Sequence, residues 1–173
     1  MVRKALITLL LALVVAPAAL ATPPGQIPVP ASVVAAHPGG HQLAQSVQTV
    51  STSTVVSPFA EERVTCWRSY FTGDNGGWVG TEQENINPYW CGNGSVMRSL
   101  DSSWHYESCS LLVNCVGETP VGTWTGCTYG CTSDGQEITG HFRVNLGYQF
   151  SVDETVIFQV YGNGQSWSYA YHN

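Results

Sequence analysis

The sequence predicts an all-β fold: a small antiparallel β-sandwich stabilised by three disulfides, with a closed β-barrel as the alternative. Three observations lead there. From Glu61 onward, short apolar or aromatic alternations are broken by Gly, Asn, Asp or Pro roughly every ten residues. Beyond the first 21 residues, no apolar period of about 3.6 residues runs through three turns. The cysteines number six, an even count: Cys66, Cys91, Cys109, Cys115, Cys127 and Cys131.

Residues 1–21 carry the marks of a secretory signal peptide. Arg3 and Lys4 precede an apolar run from Ala5 to Val15, and Ala19-Leu20-Ala21 supplies a small-x-small cleavage site. The run is too short to span a bilayer, and no basic stop-transfer cluster follows to support a retained anchor. Cleavage after Ala21 leaves only Arg63, Arg68, Arg98 and Arg143 against twelve Asp and Glu residues. So acidic a chain is repelled by nucleic acid and by anionic membrane surfaces. The expected partner is an extracellular polymer or protein surface, with no nucleic acid and no membrane span once the signal is removed.

Residues 22–60 read as an uncharged linker or propeptide rich in Pro, Ala, Ser, Thr and Val. They hold six of the nine prolines and no Asp, Glu, Lys or Arg. The β-branched run from Ser46 to Val56 admits a loosely docked extra strand. The lack of charge also suits packing on the domain that follows.

Residues 61–173 form the disulfide-bonded β domain. Strands are predicted over 63–72, 77–86, 89–91, 95–100, 104–112, 122–128, 137–147, 155–161 and 166–171. Asp74-Asn75-Gly76-Gly77, Gly92-Asn93-Gly94 and Gly162-Asn163-Gly164 supply the positive-φ residues of tight hairpins. This part of the chain has 18 aromatic residues and 18 of Leu, Ile, Val and Met, so many rings must be inside. Phe142, Val144, Leu146, Tyr148 and Phe150 alternate and are assigned to the core.

An exported chain with cysteines spaced C-x5-C and C-x3-C, and no paired C-x2-C knuckles, reads as disulfide-bonded rather than zinc-binding. Cys66–Cys91 ties the first long strand to a returning one. The other four pair either locally, as Cys109–Cys115 with Cys127–Cys131, or nested, as Cys109–Cys131 with Cys115–Cys127.

The chain has no nucleophile elbow, phosphate-binding glycine loop, dinucleotide fingerprint or H-E-x-x-H motif, and no lysine after Lys4. The leading expectation is therefore a secreted, non-catalytic module that binds a polymer, carbohydrate foremost, or a partner surface through exposed aromatics. Trp167, Tyr169 and Tyr171 are the candidate ligand-binding residues. They share one face of the last strand and, if exposed, form a platform about 14 Å long; if buried, they are sandwich core. Two alternatives stand beside this. A secreted inhibitor or antibacterial toxin would present the Val113–Thr123 stretch, with Pro120, as a rigid loop. A small glycoside hydrolase would need paired carboxylates. Glu82 and Glu84 lie on one strand face about 7 Å apart, and Asp101, His105 and Glu107 surround Trp104 in sequence. No catalytic residue is assigned. Asp74 with Asn75, and Asp134 with Glu137, offer too few oxygens for Ca²⁺, so no metal and no cofactor are expected.

Overall fold

A computed structural model of the chain describes residues 24–57, 60–74, 82–102, 104–121, 127 and 129–172. The expected signal peptide lies outside them, as do Asn75-Gly76-Gly77 and nearly all of the strand predicted over 122–128. The described residues are almost entirely β. The strands are β1 (Gly25–Gln26), β2 (His41–Gln42), β3 (Ser46–Ser57), β4 (Ala60–Asp74), β5 (Glu82–Ile86) and β6 (Tyr89–Gly92), followed by β7 (Met97–Asp101), β8 (His105–Cys109) and β9 (Val113–Val121). The last three, β10 (Ser133–Asn145), β11 (Gln149–Tyr161) and β12 (Gln165–His172), are long. The one helix among the described residues, α1 (Ala31–Ala36), is too short to cross a membrane.

The strands make two six-stranded sheets. The first runs β1-β12-β11-β10-β9, with β2 also on β12; the second runs β7-β6-β4-β5-β8, with β3 also on β4. All ladders are antiparallel except the short β1–β12 pair. Strand β4 organises the second sheet. Its 15 residues receive β3 along one edge, and β6 then β5 in succession along the other.

Alternation along the strands sends one set of side chains from each sheet into a shared core. Trp67, Phe71, Ile86, Trp90 and Met97 come from the second sheet, and Ile138, Val156, Phe158, Val160 and Ala170 from the first. Trp90 is fully buried, and its Nε1–H donates to the carbonyl of Tyr161 across the layer at 3.0 Å. The sheets come so close at Gly92 that a Cβ there would sit 2.2 Å from the carbonyl oxygen of Gly162, which only glycine avoids. The disulfides are Cys66–Cys91, Cys109–Cys115 and Cys127–Cys131, the local pairing. Cys109–Cys115 joins β8 to β9 and so ties the two sheets along one edge.

Within the segment read as a linker or propeptide, the admitted extra strand forms: β3 pairs with β4, and Leu43 enters the inter-sheet core, while the other residues of 24–56 are exposed or half-buried. Two expectations change. Val113–Val121 is not a presented loop but strand β9, paired with β10 and bulged beside Gly117, whose φ is +136°. Phe142 and Val144 are buried and Leu146 is half-buried, but Tyr148 and Phe150 are exposed at the turn end of the β10–β11 hairpin, where Phe150 pairs with Val144.

Trp90→Ala should lower stability by about 3–5 kcal/mol, read as a shift of denaturant midpoint with unchanged slope. Tyr148→Ala should stay within about 0.5 kcal/mol of the parent.

Candidate functional site

Strand β12 settles where the predicted ring row goes. Ala170 points into the inter-sheet core, so Trp167, Tyr169 and Tyr171 point to the outer face of the first sheet. That face is nevertheless closed, with the three rings 1%, 2% and 7% exposed. The cover is the chain's own N-terminal segment. β1 and β2 pair with the free edge of β12, and between them Ile27, Val29 and Val33 pack on the rings. The Tyr169 hydroxyl donates to the His37 carbonyl at 2.9 Å, and the His37 ring stacks on Tyr171 at 3.8 Å. Trp167 Nε1–H donates to Gln159 Oε1 at 3.1 Å, and Tyr171 OH to Glu137 Oε1 at 3.1 Å. Burial, then the Glu137 carboxylate, push the Tyr171 phenol up to about 12. The platform expected at Trp167, Tyr169 and Tyr171 is thus filled by the protein itself.

An open aromatic surface lies on the other side of the molecule. Because Trp67 and Phe71 point inward, Arg68 and Tyr70 of β4 point out, and Tyr89 and Asp101 join them in register. The Arg68 guanidinium lies 5.7 Å from the Tyr89 ring centre. Trp104 is 69% exposed, and its carbonyl accepts the Asn87 N–H at 2.9 Å, so its backbone is held while its ring is free. Tyr70 and Tyr106 are about half-exposed and rest on the buried Asn85. Tyr70 OH donates to Asn85 Oδ1 at 2.7 Å, and Asn85 Nδ2 donates to Ser108 Oγ at 3.2 Å. A cleft of about 200 Å³ opens between Arg68, Asn87, Tyr89, Asp101 and Trp104. A second, of about 340 Å³, shares Arg68 and Asn87 and extends past Tyr70 to Ser46 and Gln48 of β3. Together they make a groove across the outer face of the second sheet.

The carboxylates from the sequence form a different constellation. Asp101 and Trp104 face the groove, whereas His105 and Glu107 turn inward, so that sequence cluster is split by the pleat. Glu84 and Glu107 are direct cross-strand partners on the inner face. Opposite them, Glu118, Gly140, Glu154 and His172 form one row across the first sheet. The two rows interlock through glycines. A Cβ at Gly140 would lie 2.7 Å from Glu84 Oε2, and one at Gly73 would lie 3.0 Å from Glu154 Oε1. Glu107 accepts the N–H of His141 at 2.8 Å and of Gly117 at 3.0 Å. His105 Nδ1 meets Glu118 Oε2, and His172 Nδ1 meets Glu154 Oε2 at 2.7 Å. Both Glu84 oxygens are buried without a hydrogen-bond partner. Burial, and then the charges of Glu118, Glu107 and Glu154, push its carboxyl up to about 8.

The side chain of Glu82 lies outside the described residues; in the structure the partner of Glu84 is Glu107, which strand register alone determines. Of the oxygens weighed for Ca²⁺, Asn75 lies outside the described residues, and those of Asp134 and Glu137 do not converge. Asp134 accepts the Gly135 N–H at 2.8 Å from an inward position, and Glu137 points outward to Tyr171.

Val33→Asp should unseat the N-terminal cover, read as loss of amide-exchange protection confined to residues 25–42 and β12. The folded state favours the neutral Tyr171 phenol, so stability should fall as pH rises from about 10 to 12, while the unfolded chain ionises first. Tyr171→Phe should flatten that fall in rapid alkaline denaturation. Compared with protein-family models, curated proteins and solved structures, the chain matches none.

Proposed function

We propose that this chain is a secreted, non-catalytic module that binds an extracellular polymer, carbohydrate foremost, along the groove formed by Arg68, Tyr70, Tyr89, Asp101 and Trp104. The observation that carries the reading is a Trp ring 69% exposed beside a cleft with charged and amide groups, on a rigid sheet. Sugar rings present one apolar C–H face and a rim of hydroxyls. Exposed aromatic faces match the first, and Arg68, Asn87 and Asp101 match the second. A protein that leaves such rings in water without a partner forgoes their burial, and a contiguous exposed apolar patch is the usual mark of an interaction surface.

The compartment belongs to the same proposal. An N-terminal export signal and three disulfides fit an oxidising environment, and no helix among the described residues is long and apolar enough to cross a membrane. A hydrolytic role finds less support. Glu84, the carboxyl best tuned to donate a proton, is fully buried between the sheets, where a glycosidic oxygen of a polymer does not reach. The loop-presenting inhibitor reading loses its loop to strand β9.

Depletion assays on insoluble polysaccharides should show retention of the intact protein. Trp104→Ala should weaken it roughly 10- to 30-fold, the effect of losing a buried aromatic anchor, while Trp167→Phe should bind as the parent does. Equal retention of parent and Trp104→Ala, or retention of neither, would count against this groove.

A further inference from the structure

We propose that Glu84, His105 and Glu118 form a binding site for one divalent first-row cation of the zinc class. These residues come from three strands, β5, β8 and β9, that meet where the two sheets are tied by Cys109–Cys115. One ligand atom from each lies within 4.8 Å of the others. Tetrahedral ligands at about 2.0–2.2 Å from one cation stand about 3.4 Å apart. Coordination therefore asks for side-chain shifts on the order of an ångström, with the direct His105–Glu118 contact opening to admit the ion.

A second, independent observation points to a ligand. Glu84 is 0% exposed, and neither of its oxygens has a hydrogen-bond partner. A buried carboxyl left in that state costs free energy that a cation would recover. Among the described residues no arginine is placed there, and none of them is a lysine. Arg98 is paired with Glu62, Arg68 lies over Tyr89, and Arg63 and Arg143 occupy exposed positions. The site is also reachable, because the His105 and Glu118 side chains are each 18% exposed.

The donor set selects the kind of metal. One imidazole nitrogen with two carboxylates suits zinc and its first-row neighbours, whereas Ca²⁺ asks for six to eight oxygens. Glu107 is already engaged by two backbone N–H groups, so it orients the surroundings, and the remaining coordination falls to water. Gly140 makes the space, since a Cβ there would lie against Glu84 Oε2. The cation would brace β5 and β8 of one sheet to β9 of the other, on the opposite side of the second sheet from the aromatic groove. Its presence and the groove's binding are therefore separable.

The test titrates the disulfide-intact protein, stripped with chelator, with ZnCl₂, MnCl₂ and CaCl₂ by calorimetry, with bound metal counted after dialysis. One equivalent of Zn²⁺ is expected, with Ca²⁺ weaker. Glu84→Gln and His105→Gln should each weaken Zn²⁺ binding at least ~10-fold, while the surface control Glu61→Gln binds as the parent does. Circular dichroism checks that each variant is folded, and if Glu84→Gln is not, His105→Gln and Glu118→Gln carry the comparison. Substitution with Co²⁺ should give visible absorption that His105→Gln alters. Less than one equivalent bound by the parent, or uptake unchanged by the ligand variants, would overturn the proposal.

Discussion

The first sheet is apolar on both faces, and the rest of the structure answers to that. Along β11 and β12, Val156, Phe158, Val160 and Ala170 point to one side, and Ile157, Trp167, Tyr169 and Tyr171 to the other. A sheet with two apolar faces needs two covers, because rings of this size lose several kcal/mol each if left in water. The second sheet supplies one cover. Residues 25–42 supply the other, after which the chain turns over the β12 edge, drops Leu43 into the core and continues as β3. The N-terminal segment thereby holds both layers of the sandwich together.

The interior is stratified. Ile138, Val156 and Ile86 belong to the main core, while Phe142, Val144 and Val113 belong to a smaller one. Between them lies a sheet-spanning layer containing Glu84, Glu107, Glu118 and Glu154, with two glycines hollowed out to receive the longer side chains. Carboxyls do not gather inside an apolar sandwich for stability's sake, since desolvating them opposes folding. Their arrangement around one unpartnered carboxyl is the part of the interior that burial of apolar surface does not explain.

The two faces of the second sheet consequently do different work. The inner face contributes Trp67, Phe71 and Trp90 to the core and Glu84 to the acidic layer. The outer face carries Arg68, Tyr70, Tyr89 and Trp104 on a frame of hydrogen bonds through Asn85 and Asn87. Rings exposed on so fixed a support lose little conformational freedom when they meet a partner.

The β class, most strand positions, the Cys66–Cys91 bridge and the one-sided row of Trp167, Tyr169 and Tyr171 follow from local pattern: period two, turn residues and cysteine count. These properties live within a strand or a hairpin, so neighbouring residues encode them. Strand β9 escaped because Gly117 and Pro120 look like loop residues, and only pairing with β10 shows that a bulge absorbs the glycine. Which side of a strand meets water is not a local property. Alternation names two faces, and only the docking of residues 25–42 on one sheet, and of no described segment on Trp104, decides which rings are covered. The same holds for Glu84: its sequence neighbour was Glu82, but the groups that set its chemistry, Glu107, Glu118 and His105, arrive from other strands by register and layer packing.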